Sequence, residues 1–399
     1  MAEIKELHKP LQLSGEEREQ LRKDVRELCE SFGNAYWRKL DEPREYPYEF
    51  VDALTKAGYL SVLIPEEYGG KGYGLQEATI ILEEIHRAGG HAAACHAQMY
   101  TMGSVLRHGS KEQKEKYLPG IAKGEIRLQA FSITEPEAGS NTTAIQTFAE
   151  KTGDGYIING HKNWTSRIQQ SDLLLVLART TPLEEVKKKS DGISLFLVDL
   201  RDIRKNQPDA LVIEQVRTMF NYATNKIWYK DMEIPSDSLV GEEGKGFKYV
   251  LDGMNAERIL LAAETIGDGY FFIDKAVEYA SEREVFNRKI GENQGVQFPI
   301  ARAYASIKAS DLLRDEAAKK FDNNEQCGEE ANMAKLLSSE ASWEAANVCL
   351  NTFGGNGFVD EYDVERKFRE TRMYQIAPVH NNMILAYLGQ HVLGLPRSY

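Results

Sequence analysis

Apolar positions between about residues 15 and 125 recur at helical spacing. In EEREQLRKDVRELCESF, Leu21, Val25, Leu28 and Phe32 fall three or four apart with charges between them, which predicts an amphipathic helix. PYEFVDALTKAG predicts another helix. After the Gly/Pro-rich break IPEEYGGKGYG at 64–74 come the amphipathic run LQEATIILEEIHRAG and the small-residue stretch GGHAAACHAQMYTMGSVL. Between about 127 and 240 the period changes to short β-type segments: RLQAFSIT, TFAEK and YIING around the turn TGDG, then DLLLVLART, GISLFLVDL, LVIEQV and KIWYKDMEI. Strands with no helices between them predict antiparallel hairpins closing into a small barrel or sandwich, not a parallel sheet. From about 246 the long helical runs resume, in GFKYVLDGMNAERILLAAETIGDGYFFIDKAVEYASE, FPIARAYASIKASDLLRDEAAKKF and ANMAKLLSSEASWEAANVCLNTF. The expected class is α+β: an N-terminal helical domain (1–126), a central antiparallel β-barrel or sandwich (127–242) and a C-terminal helical bundle (243–399).

Composition narrows the function. Apolar residues at 42% and charged residues at 28% suit a soluble globular chain. Lys+Arg 49 against Asp+Glu 61 leaves a net charge of −12, which argues against a general nucleic-acid binder. No apolar run approaches the ~20 residues of a membrane span. The opening MAEIKELHKPLQL lacks the basic-then-apolar pattern of a leader and the closing LPRSY is no address tag, so a bacterial cytoplasm, or a mitochondrial matrix after processing, is expected. Cys29, Cys95, Cys327 and Cys349 form no CxxC pair, which argues against zinc and a disulfide scaffold. GxGxxG, GxxxxGK[ST] and HExxH are all absent. His86, His91 and His96 are five apart; on a helix that step of about 140° scatters them, leaving polar or capping roles.

Two segments carry candidate chemistry. AFSITEPEAGSN (130–141) leaves a strand for a loop in which Thr134 and Ser140 offer hydroxyls and Ala138–Gly139 allow close backbone approach. NGHKNWTS (159–166) sets Trp164 beside two hydroxyls. Taken singly, the first reads equally as a solvated turn and Trp164 as core; together they supply a flat stacking surface and short donors for a planar heteroaromatic cofactor.

With IPEEYGG upstream and SEREVFNRKIGENQGVQF (281–298) and NTFGGNGFVDEYDVERKFRE (351–370) downstream, these segments make the chain resemble an acyl-CoA dehydrogenase over its whole length. The resemblance implies a C-terminal four-helix domain, a homotetramer, non-covalent FAD, and α,β-desaturation of an acyl-CoA with electrons passed to an electron-transferring flavoprotein. It assigns Phe131, Ile133, Thr134, Gly139 and Ser140 to the flavin loop, Ser140 also touching CoA. Trp164 would lie against the isoalloxazine, with Thr165 and Ser166 near its reactive nitrogen. Arg283, Phe286 and Gln294, and separately Asn351 and Gly354–Gly355, would grip the dinucleotide of a neighbouring subunit. Arg283 suits a pyrophosphate; by spacing alone it reads first as a surface ion pair.

Desaturation needs a carboxylate beside the α-carbon in a dry pocket that raises its pKa. Where most of the family carries a glutamate, MYQIAPVHNNM (373–383) presents Pro378, with His380 and Asn382 at the flavin-contacting positions. The isovaleryl and long-chain branches place the base on another helix, just before an Arg. Here GMNAERILLAAE (253–264) supplies Glu257 before Arg258. Glu257 is the expected base; its other reading is a helix-start acid facing the helix dipole. Asn255 and Arg258 are candidate substrate contacts, Arg258 alternatively a structural salt bridge. Glu135 and Glu137 read as structural, and Glu365 with Arg369 as a helix ion pair. Pro378 keeps open an O₂-reacting oxidase or monooxygenase of the same fold, and a flavin-free helical binding protein is the alternative from another class. The segment 92–104 is expected to shape the acyl pocket.

Overall fold

The computed structural model describes residues 10–397, so the readings that rest on residues 1–9 and 398–399 lie outside it. The chain opens with α1 (Gly15–Glu30), α2 (Asn34–Asp41), α3 (Tyr48–Lys56), α4 (Leu75–Arg87), α5 (Ala93–His108) and α6 (Lys111–Lys123). Leu21, Val25 and Cys29 of α1 are buried, as the spacing predicts, and Ser14 with Glu17 closes a capping box at its start. The start of α4 is capped from far away: Leu75 N–H and Gln76 N–H donate to the Asp322 carboxylate at 2.7 and 3.0 Å.

Strands β1 (Ala130–Ser132), β2 (Phe148–Lys151), β3 (Gly155–Ser166), β4 (Leu173–Arg179) and β5 (Ile193–Asp199), the short helix α7 (Leu200–Asn206), and β6 (Leu211–Gln215) and β7 (Thr224–Pro235) follow. They form one sheet in the order β1-β4-β2-β3-β7-β6, with β5 beside β4. The β2–β3 hairpin turns at TGDG as expected, and β3–β7, β4–β5 and β6–β7 are antiparallel. The all-antiparallel expectation needs amending, because β1 runs parallel to β4 over three residue pairs and β2 touches β4 in parallel at Phe148–Arg179. Both β1 and β2 reach β4 across intervening chain rather than through a hairpin, so turn chemistry imposes no direction on them.

The C-terminal part comprises α8 (Gly246–Glu282), a two-strand ribbon β8 (Glu284–Val285) and β9 (Arg288–Lys289), α9 (Gln294–Asp322), α10 (Gly328–Phe353), α11 (Val364–Thr371) and α12 (Asn381–Tyr387). Helices α8, α9 and α10 pack on one another, and α4 and α5 lie against α8 as well. One core therefore mixes Val25, Phe50 and Ile81 with Ile259, Leu260 and Ala317. Polar groups also cross this junction: Asp268 on α8 stands 2.7 Å from Lys367 Nζ on α11 and 2.8 Å from His86 Nδ1 on α4, with all three side chains fully buried.

Removing one member of such a buried set strands the others without water, which costs about 3–5 kcal/mol, whereas loss of a helix cap costs about 1 kcal/mol. Asp268→Ala is therefore expected to lower the thermal unfolding midpoint of the protein well below that of Asp322→Ala. Circular dichroism melts of the two variants check this order, and equal losses would contradict it.

Candidate active site

Helix α8 determines the site. Glu257, Glu264 and Asp268 lie seven and four residues apart on it, hence within about 40° of one another around the axis. Glu257 stands eleven residues inside the helix that begins at Gly246, which removes the helix-start reading. The three acids meet different partners. Asp268 has Lys367 and His86. Glu264 stands 3.0 Å from His96 Nδ1 and 4.0 Å from His86 Nε2. Burial pushes the Glu264 carboxyl upward, but the facing imidazoles outweigh it and hold the group below the usual carboxylate range. Glu257 has no cation within ion-pair distance among the described residues, and burial pushes it up to about 7 against the weaker pull of His96 and Arg258.

The histidines contradict the scatter expected of them. They do not share a helix: α4 ends at Arg87, Gly89 takes a left-handed turn (φ 82°), and α5 starts at Ala93. The reversal brings the His86 and His91 rings to 5.7 Å and sets His86 and His96 on the same carboxylate. The capping role does hold, since Ala92 N–H donates to His86 Nε2 and Ala93 N–H to His91 Nδ1, each at 3.1 Å. His91 must be neutral to accept, and burial lowers it to about 4.

One turn along α5 from His96, Tyr100 packs its ring 5.3 Å from the imidazole and 6.0 Å from Phe131. Burial drives its hydroxyl well above the usual range, with the Glu257 charge adding to the rise and Arg167 opposing it. Tyr222 lies in the same fields. Tyr100, Tyr222 and Arg167 were not identified from the sequence. The signals present were the His96–Tyr100 spacing of four and an Arg directly after NWTS.

The candidate flavin residues gather at the β1 and β3 ends of the sheet. The β3–β7 register breaks between Lys162 and Thr165, and Trp164 sits in that bulge at φ 63°, with its indole 57% exposed. A bulge re-aims the side chains beyond it, and an exposed indole at a sheet end is a ready stacking plate. The bulge also separates two residues expected to act together. Thr165 Oγ1 is fully buried 3.1 Å from Ser132 Oγ, whereas Ser166 Oγ lies 3.2 Å from Thr224 Oγ1. Phe131 and Ile133 are half-buried, and Gly139 and Ser140 are exposed, with open space over Gly139. The loop is braced from below: Lys162 Nζ donates to Ile133 O at 2.8 Å and pairs with Glu135 at 2.9 Å, while Gln146 N–H and Thr147 N–H donate to the same carboxylate. Glu135 is thus structural. Glu137 is exposed, and Glu365 pairs with Arg369 at 2.7 Å. The exposed indole, the half-buried Thr134 and the buried, unpartnered Asn163 Oδ1 suit a flat, acceptor- and donor-bearing ring such as a flavin.

Other candidates stand apart. Arg258 Nη1 donates to Asn255 Oδ1 at 3.1 Å; one residue on from Glu257, it turns about 100° around α8, toward Lys335 and Tyr387. Pro378 precedes α12, where Lys335 Nζ donates to Val379 O and Asn381 Oδ1 at 2.6 and 2.7 Å. His380 Nδ1 accepts from the exposed Asn382 N–H at 3.1 Å as the α12 cap. Arg283, Phe286 (94% exposed), Gln294, Asn351, Gly354 and Gly355 all face outward, on the β8–β9 ribbon and the ends of α9 and α10. Among the described residues, no group of three His, Cys, Asp or Glu could hold a metal, and no helix is long and apolar enough to cross a membrane.

Comparison with known proteins accounts for this arrangement. The family models described as acyl-CoA dehydrogenase N-terminal, middle and C-terminal domains match residues 15–125, 130–231 and 244–392. The acyl-CoA dehydrogenase FadE12 of Mycobacterium tuberculosis is 35% identical over 390 residues, 97% of this chain and 98% of its own. The caffeyl-CoA reductase–Etf complex subunit CarC of Acetobacterium woodii is 32% identical over 368 residues, 90% and 94% of the two chains. The structure of glutaryl-coenzyme A dehydrogenase with glutaryl-CoA superposes with a TM-score of 0.87 at 29% identity, covering 97% of this chain and 98% of that one. The chain belongs to the acyl-CoA dehydrogenase family and is an FAD-dependent oxidoreductase.

Proposed function

We propose that the protein desaturates an acyl-CoA thioester between the α- and β-carbons, with Glu257 as the base that removes the α-proton. The observation that carries this reading is the difference among the three acids of α8: Glu264 and Asp268 are matched by cations or imidazoles, and Glu257 is not. A carboxylate near 7 is half-ionised at neutral pH and basic enough to take an activated α-proton. FAD, when bound, supplies the acceptor for the β-hydride. Trp164 would back the ring, Ser166 and Thr134 would offer hydroxyls to its edge, and the open backbone at Gly139–Ser140 would admit the CoA chain. Tyr100 and Tyr222 lie in the field of Glu257, and burial keeps its carboxyl raised. Pro378 has no proton acceptor, so this role falls to α8.

The outward-facing Arg283, Phe286, Gln294, Asn351 and Gly354–Gly355 support a tetramer in which each copy helps hold a neighbour's dinucleotide. The Etf-complex relative supports an electron-transferring flavoprotein as acceptor. The three parts of the chain, 1–126, 127–242 and 243–399, would then act as helical floor, flavin platform and base-bearing bundle.

Glu257→Gln is expected to retain FAD and slow anaerobic flavin bleaching by acyl-CoA at least about a thousandfold; bleaching within tenfold of the parent would exclude Glu257 as base. In the parent, kcat/KM for bleaching should rise with pH through a limb near 7, as Glu257 ionises against its burial and with the weaker help of His96 and Arg258. A carboxyl raised from 4.5 to about 7 is destabilising once ionised, so the same Gln variant should unfold at a higher temperature than the parent at pH 8 and lose that advantage by pH 4.5. Arg283→Glu should lower FAD occupancy while analytical ultracentrifugation still finds the assembly; full occupancy would remove Arg283 from the dinucleotide site.

A further inference from the structure

The recess beside Glu257 is bounded by the way α5 and α8 cross. The two helices run antiparallel, and two crossings are fixed. His96 Nδ1 stands 3.0 Å from Glu264, and a Cβ on Gly253 would stand 3.9 Å from Ser104 Oγ. The Arg107 guanidinium continues the same order by donating to Asp252 O. Between the crossings, Tyr100 lies four residues from both His96 and Ser104 on α5, and Glu257 lies four residues from Gly253 and seven from Glu264 on α8. Steps of four and seven return to one helix face, so Tyr100 and Glu257 oppose each other across the interface.

The interface is open on one side of Tyr100 and closed on the other. Toward the start of α8, a Cβ on Gly103 would meet nothing within 4 Å, and one on Gly253 would meet only Ser104. Residues 253–258 of α8 are half-buried, as are Gly103, Phe131 and Ile133. Toward the far end of α8, His96, Ala97, Leu260, Leu261 and Glu264 are all buried. Tyr100 is the half-buried residue at the boundary. Its ring lies 5.3 Å from the His96 ring and 6.0 Å from that of Phe131, so it spans the gap from α5 to β1. The next residue of β1, Ser132, meets Thr165 Oγ1 at 3.1 Å, on the wall that carries the candidate flavin residues. Two glycines thus keep a slot open beside Glu257, and a braced aromatic ring stops it.

We propose that the Tyr100 ring ends the acyl pocket and sets how long an acyl chain the protein takes. The proposal rests on the desaturation reading above, which puts the α-carbon against Glu257, and adds the residue that decides chain length. With the thioester in the slot at Gly103 and Gly253, the chain beyond the β-carbon runs toward the Tyr100 ring. A short chain fits in front of it, and each further methylene presses on a ring that His96 and Phe131 hold from two sides. A methylene that finds no room forfeits its apolar burial, and in a close-fitting pocket one methylene is worth about tenfold or more in kcat/KM.

The test uses the purified FAD-loaded protein with butanoyl-CoA, hexanoyl-CoA and octanoyl-CoA. In anaerobic flavin bleaching, kcat/KM of the parent is expected to fall at least about tenfold from butanoyl-CoA to octanoyl-CoA. Tyr100→Ala should raise the octanoyl-to-butanoyl ratio at least about tenfold, whereas Tyr100→Phe, which keeps the ring, should hold the parent ratio. Gly103→Leu fills the slot and should lower kcat/KM for every ester at least about tenfold. FAD content is measured for each variant; if the Ala variant does not hold FAD, Tyr100→Leu carries the same comparison. A parent that takes octanoyl-CoA as well as butanoyl-CoA, a ratio untouched by removal of the ring, or full butanoyl-CoA activity in Gly103→Leu would overturn the proposal. If no ester bleaches the parent flavin, the desaturation reading fails, and calorimetric binding of the same three esters decides the pocket alone. A preference for butanoyl-CoA that Tyr100→Ala shifts toward octanoyl-CoA upholds it, and an order of affinities that the variant leaves in place rejects it.

Discussion

A helix that buries two carboxylates and half-buries a third along one stripe must have each charge either met by a neighbour or suppressed by a raised proton affinity. Helix α8 meets that demand unevenly. Asp268 is matched by Lys367 and His86, and Glu264 by the imidazoles that the α4–α5 turn folds over it, while Glu257 has burial as the largest influence on its proton affinity. Charge is settled at one end of the stripe and left unsettled at the other. The cost of keeping an unmatched carboxyl there is met by the apolar burial of the same helix, through Ile259, Leu260 and Ala263.

The same constraint ties the parts of the chain together. The partners of α8 come from α4, α5 and α11, so its stripe of acids is held by elements that lie up to 182 residues away in sequence. Lys367 Nζ also donates to Gly90 O at 3.0 Å, fixing the turn that gathers the histidines. Across the cleft, Lys162 and Glu135 brace the loop after β1 beneath the bulge that presents Trp164. Each wall is stiffened by a buried ion pair behind it, which leaves the facing surfaces to aromatic rings and unpaired donors.

Much of the plan is legible along the chain. Helical spacing announces α1, α8, α9 and α10, and the TGDG turn announces the β2–β3 hairpin. Glu257 is visible as an acid before an Arg on an apolar-periodic helix, and Pro378 as an absent proton acceptor. Other features were hidden for definite reasons. The histidines look scattered because a step of five residues says nothing about the Gly89 turn between two helices. Thr165 and Ser166 look alike because a bulge, not composition, sends one hydroxyl into the sheet and the other to Thr224. The parallel pairing of β1 with β4 is invisible because no short turn connects them.

The sequence by itself determined the order of helices and strands and the family to which the chain belongs, because backbone periods and local motifs depend on residues close together in the chain. Only the tertiary structure decided which of three acids on α8 keeps an ordinary charge. Proton affinity depends on burial and on distances of a few ångströms between side chains, and those are set by how remote segments pack.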